Sequence, residues 1–169
     1  MGQWLKSLGA TSIGTVGSAD KIAVAKTSGY AHVIDYRADD FPARVKDITG
    51  GKGCDVVYDS VGKTTFEKSL NCLRPRGMMV LFGGSSGAVP PFDLIQLSTR
   101  GSLFVTRPTL KDYIATRADL EHRAGDVFRW VAEAKLKVRA EHLYRLEDAA
   151  QAQIDIASRN TTGKLLLIP

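Results

Sequence analysis

With only two cysteines in 169 residues, and neither a CxxC nor an HExxH arrangement, the sequence offers little for a disulfide framework or a metal centre. Cys54 sits in an apolar run and Cys72 follows a helical stretch, so both read as buried reduced thiols. His32, His122 and His142 have no second ligand at metal-binding spacing. There is no apolar run near about 18 residues and no charged leader with an apolar core. Membrane insertion and classical secretion therefore lack support, and a reducing cytoplasm is the expected setting. Runs of about five or six like charges are also absent, which argues against a nucleic-acid tail.

What is present is ordinary for a globular protein: 44% hydrophobic and 24% charged residues, 16 glycines and 6 prolines. A chain of 169 residues can bury roughly two-thirds of its unfolded surface if it packs as one body. Its 23 basic and 18 acidic residues give a scattered net charge of +5, as compatible with a phosphate-bearing small molecule as with any other anionic partner.

Apolar runs alternate with helical segments. Thr11 to Val16 reads as a strand, followed by a helix over Ala19 to Thr27 with Ser18 as its N-cap and Gly29 as its stop. His32 to Asp35 is the next strand, then a helix over Asp39 to Ile48 capped by Asp39 and ended by Gly50-Gly51. Cys54 to Tyr58 is a strand that runs into the turn Asp59-Ser60-Val61-Gly62; Thr64 to Leu73 is helical and Pro75 to Gly77 breaks it. Met78 to Phe82 is a fourth strand with the loop Gly83 to Gly87 at its end, Asp93 to Thr99 a short helix, and Ser102 to Thr106 a fifth strand. Continuous apolar strands separated by helices imply right-handed crossovers, hence an α/β fold with a Rossmann-type parallel sheet and helices on both faces. Beyond Pro108 the pattern turns helical, over Leu110 to Lys135 and Leu146 to Ser158, before a last strand at Leu165 to Ile168. The expected division is 1–108 and 109–169.

In open parallel sheets ligands bind beyond the carboxyl ends of strands, which directs attention to Gly17-Ser18, Asp59 to Gly62, and Phe82 to Gly87. After its second strand an NAD site presents Asp or Glu to the ribose, whereas an NADP site needs room and positive charge for the 2′-phosphate. The corresponding position is Gly17, with Ser18 able to donate a hydrogen bond and Lys21 one helical turn on, a pattern equally open to reading as a capped helix with a solvated lysine. Tyr36, with Arg37 beside it, either lies against the adenosine phosphate end or only covers the sheet edge. Phe82 and Val61 are either walls for a nicotinamide or, the better-supported alternative, core residues.

At this point the residues are similar to those of a specific family, the zinc-independent NADPH:quinone oxidoreductases related to zeta-crystallin, within the medium-chain dehydrogenase/reductase superfamily. The resemblance extends over essentially the whole chain. It is carried by Gly14-Thr15-Val16-Gly17, by Asp55 to Gly62 (DVVYDSVG), by Phe82 to Gly87 (FGGSSG), by Gly101 to Pro108 (GSLFVTRP) and by the closing Leu165 to Pro169. It implies hydride transfer from NADPH to a quinone without a catalytic metal. By the same resemblance Ser18, Lys21 and Tyr36 hold the 2′-phosphate, Ser60, Val61, Phe82, Gly83 and Ser85 line the cofactor, and Val105, Thr106 and Arg107 lie near the nicotinamide. The Ser102 to Thr106 strand is also the one through which family members pair as homodimers.

The departure from the family is at the beginning. Members carry a catalytic domain, a first strand and a glycine-rich turn ahead of the segment matched here; Gly2 to Leu8 resembles the remainder of the helix after that turn. With strand order 3-2-1-4-5-6, the Thr11 and Cys54 strands lose their shared partner, and the expectation is that they pair directly or recruit a neighbouring chain. Little or no quinone reduction is expected of the separate chain, and no catalytic residue is assignable within it. The alternatives are an enoyl or alkenal reductase of the same superfamily, a non-catalytic NADPH-binding module, and a remnant with no ligand.

Overall fold

The computed structural model describes residues 1–158 and 161–169, which fall into two units, Met1–Glu121 and His122–Pro169. Among the described residues no helix is long and apolar enough to cross a membrane.

The first unit runs α1 (Gly2–Ser7), β1 (Ile13–Val16), α2 (Asp20–Thr27), β2 (His32–Asp35), α3 (Phe41–Ile48), β3 (Cys54–Asp59), α4 (Phe66–Leu70), β4 (Leu73–Leu81), α5 (Ile95–Thr99), β5 (Phe104–Thr106) and α6 (Leu110–Tyr113). Its strands form two parallel sheets, β1-β2 and β3-β4-β5. No strand precedes Ile13. The expectation that the strand beginning near Thr11 would pair directly with the Cys54 strand is not met: among the described residues β1 pairs with β2 and β3 with β4, in separate sheets.

What joins the two sheets is side-chain packing. Phe41 and Val45 of α3 are buried with Ile34 of β2 and Cys72, and this cluster takes in Ile13, Tyr36, Cys54 and Val57 from both sides. One amphipathic helix thus packs against both sheets, which are not hydrogen-bonded to each other among the described residues. A second core lies under α4, where Phe66 and Leu70 pack on Leu73, Met79, Leu81 and Leu103, and the rings of Phe66 and Phe92 meet edge to face at 5.1 Å. The row formed by Val56, Met78 and Phe104, in register across β3, β4 and β5, is exposed.

Several local expectations shift. The Ser18 and Asp39 side chains cap no helix: α2 begins at Asp20 after Ala19, and α3 begins at Phe41 after Asp40. The Pro75 to Gly77 break lies inside β4, where the register passes from Cys54↔Leu73 to Val56↔Met78 and the intervening residues loop out. Arg76 takes a left-handed φ of 60° there, and its N–H donates to the Gly101 carbonyl at 2.7 Å. The helix expected over Leu110 to Lys135 is two, α6 and α7 (Arg117–Ala132).

In the second unit β6 (Ala140–Arg145), which the sequence pattern did not reveal, pairs in parallel with β7 (Lys164–Ile168). Between them a 3-10 turn over Leu146–Asp148 leads into α8 (Ala149–Ser158). The Tyr144 hydroxyl donates to Asp155 of α8 at 2.7 Å, which raises the tyrosine's pKa and lowers the carboxyl's.

Candidate functional site

Because β1 and β2 are parallel, Gly17 and Tyr36 leave the sheet on the same edge. The Tyr36 N–H donates to the Val16 carbonyl at 3.0 Å, stitching the turn after β2 to the end of β1. The phenol then folds over Gly17: a Cβ placed on that glycine would lie 2.9 Å from the Tyr36 hydroxyl. No side chain fits at Gly17 unless Tyr36 moves. Ser18 uses its carbonyl to accept the Lys21 N–H at 3.2 Å. Its hydroxyl turns to Asp20, holding that carboxyl below its ordinary value, with the Lys21 charge adding to the effect. Ser18 does not cap because α2 starts two residues later, with Ala19 in the cap position, and the serine hydroxyl donates to the Asp20 carboxylate. Arg37 is exposed, and its N–H donates to Asp35 at 3.0 Å.

The other loops leave β3 and β4, which are likewise parallel, and they interlock. The Ser85 N–H donates to the Ser60 carbonyl at 3.2 Å, and the Ser86 N–H and hydroxyl donate to the Val61 carbonyl at 2.8 and 2.7 Å. In return, Ser86 Oγ accepts the Thr64 N–H at 3.1 Å, and the Gly87 carbonyl accepts that of Lys63 at 3.2 Å. Glycine is required where the backbones cross: a Cβ on Gly83 would lie 2.4 Å from the Ser60 oxygen, and one on Gly62, whose φ is +89°, 2.8 Å from the Gly87 oxygen.

Phe82 is 50% exposed and so is not a core residue; side chains alternate along a strand, and it points away from the face that buries Leu81. Val61 is half-buried. Val105 and Thr106 pair with Met79 and Val80, and the Arg107 guanidinium donates to the Leu81 carbonyl at 2.9 Å, tying the end of β5 to that of β4. The site residues expected from sequence thus gather in two groups, Gly17, Ser18, Lys21 and Tyr36 on one sheet, and Ser60, Val61, Phe82, Gly83, Ser85 and Val105 to Arg107 on the other. Asp59 and Ser86 lie in the Asp59 to Gly62 and Phe82 to Gly87 loops marked out from sequence but were not singled out there; the structure shows Asp59 buried and Ser86 bonded to the Val61 carbonyl.

Such strand-end loops, rich in backbone N–H groups and hydroxyls, suit an elongated phosphate-bearing ligand. Comparison with known proteins agrees, since the family model described as zinc-binding dehydrogenase matches residues 1–120. The chain belongs to the zinc-binding dehydrogenase family. Among its described residues no group of three or more His, Cys, Asp or Glu is placed to hold a metal ion.

Relatives within this family are more specific. The chain is 49% identical over 169 residues to quinone oxidoreductase 1 of Escherichia coli, covering 99% of this chain and 52% of that protein. It is 42% identical over 167 residues to a 2-haloacrylate reductase of a Burkholderia species, covering 98% and 50%. The crystal structure of the Escherichia coli quinone oxidoreductase complexed with NADPH superimposes with a TM-score of 0.94 at 49% identity, covering 99% of this chain and 52% of that one. The chain therefore spans about half the length of the curated relatives it matches.

Proposed function

We propose that the chain forms the NADPH-binding portion of an oxidoreductase that passes a hydride from NADPH to a quinone, without a catalytic metal. In this reading the enzyme is cytoplasmic and pairs as a homodimer through β5, whose outer edge is open and whose Phe104 and Val105 are exposed. Residues 1–108 form the cofactor-binding part, and 109–169 return towards the catalytic domain of a full-length enzyme.

The observation that carries this reading is the Tyr36 phenol lying over Gly17. In an NAD site a carboxylate serves this position; here a neutral hydroxyl occupies the space. The hydroxyls of Ser18 and Tyr36 and the Lys21 ammonium form a donor set suited to a 2′-phosphate. Asp20 opposes it by competing for the Ser18 proton. Ser60, Val61, Phe82, Gly83 and Ser85 line the remaining length, and Val105, Thr106 and Arg107 stand near the nicotinamide. When bound, NADPH supplies the hydride; the chain orients it and keeps water from one side through the apolar Val61 and Phe82.

Titration of NADPH and NADH by calorimetry tests the assignment. Lys21→Glu is expected to lower NADPH affinity by about tenfold or more and leave NADH unchanged, whereas Asp20→Asn strengthens NADPH binding. Equal effects on both cofactors, or no NADPH binding by the unsubstituted chain, would overturn it. A second reading, reduction of an activated carbon–carbon double bond, is favoured by the identity to 2-haloacrylate reductase; comparing quinone and 2-haloacrylate reduction by the full-length enzyme separates the two.

A further inference from the structure

The two interlocked loops share an anchor. Asp59, the last residue of β3, is only 4% exposed, and both oxygens of its carboxyl are used twice. Oδ1 accepts the N–H groups of Val61 at 2.7 Å and Gly62 at 3.0 Å, while Oδ2 accepts the hydroxyls of Thr65 at 2.7 Å and Ser69 at 2.8 Å. Its backbone carbonyl accepts the Phe82 N–H at 3.0 Å. All these partners are neutral, and the carboxyl supplies geometry: it holds the 60–62 turn against Thr65 and Ser69 of the α4 segment, while the Asp59 backbone carbonyl ties the end of β3 to the residue after β4.

That turn in turn presents the Ser60 and Val61 carbonyls to Ser85 and Ser86, neither of which is among the hydrogen-bond partners of the Asp59 carboxyl. We propose that Asp59 is the positioning residue of the nicotinamide side of the site, holding the 60–62 turn and, through it, the 83–87 loop in a preassembled shape. The proposal rests on the NADPH reading. Its consequence is that disturbing Asp59 weakens the β3-β4 end of the site while the Gly17–Tyr36 end, on the other sheet, keeps its affinity. A merely stabilising role would weaken both ends together.

The test uses three variants of the full chain. Asp59→Ala strips four donors of their partner. Thr65→Val strips one hydrogen bond and is the milder probe should the alanine variant not fold. Asp59→Asn keeps an oxygen for Val61 and Gly62 and turns its amide to the hydroxyls, Thr65 having the Gly62 carbonyl at 3.4 Å as its alternative acceptor. Amide exchange at Ser85 and Ser86 is followed by NMR, and calorimetry compares NADPH with adenosine 2′,5′-bisphosphate, which carries only the adenosine end.

Asp59→Ala is expected to speed exchange at Ser85 and Ser86 and weaken NADPH by about tenfold or more, with adenosine 2′,5′-bisphosphate unchanged. Thr65→Val moves the same way by about threefold, and Asp59→Asn stays near the unsubstituted chain. Unchanged exchange at Ser85 and Ser86, or equal loss of both ligands, overturns the proposal. If the unsubstituted chain binds neither ligand, the NADPH reading fails instead, and the exchange rates still decide whether Asp59 sets the loops.

Discussion

Burial pushes the Cys72 thiol up to about 12 from its ordinary 9.0, with Cys54 and Asp40 adding to the shift. Desolvation disfavours the thiolate, the form that reacts. At neutral pH, thiol reagents are therefore expected to label Cys72 in the native chain about two to three orders of magnitude more slowly than in urea, measured by chromophoric thiol release. Because the folded pKa lies above the unfolded one, this thiol's contribution to stability is full below about 9 and disappears as the pH climbs towards 12. Fast labelling of the folded chain at neutral pH would contradict the burial. Both thiols were expected to be buried; Cys72, after a helical stretch, is, whereas Cys54 is only half-buried. That Gly17 and Tyr36 follow strands was legible too, since a short β-branched run closed by a glycine marks a strand end. The seat of the Tyr36 phenol over Gly17 was not, because the two are brought together only by the pairing of β1 with β2.

Among elements, α4 is short yet decisive, for Phe66, Ser69 and Leu70 bury one side of it against β4 while Ser69 also reaches Asp59. Leu70 is 1% exposed in the core that supports both loops. Leu70→Ala is expected to cost about 2–5 kcal/mol in urea unfolding through the cavity it leaves, and a loss under about 1 kcal/mol would mean the core collapses around it. Strand and helix order across the first unit could be read from periodicity. The ends could not: α4 spans Phe66–Leu70 where a helix over Thr64 to Leu73 was expected, since Leu73 is drawn into pairing with Cys54. β6 was missed because Ala-Glu-His-Leu-Tyr-Arg contains no β-branched residue and no regular alternation, and its pairing with β7 makes it a strand.

On the scale of the whole molecule, the division into a β1-β2 sheet and a β3-β4-β5 sheet leaves β1 and β3, among the described residues, each paired on one side. The β3 edge carries exposed Val56 and Tyr58, an apolar, unprotected strand of the kind that pairs with other chains. Species larger than a dimer are therefore expected in sedimentation velocity at high concentration, and Val56→Lys should diminish them; a chain that stays at or below dimer, or is indifferent to the substitution, excludes this. By itself the sequence determined the α/β order of the first unit and which strand ends carry glycine and serine loops, because periodicity and turn chemistry are properties of neighbouring residues. Only the tertiary structure decided that the two sheets stay unpaired, that the 60–62 and 83–87 loops lock together, and that Asp59 anchors them. Those outcomes depend on hydrogen bonds and contacts between segments distant in the chain, whose approach is set by packing and leaves no local mark in the sequence.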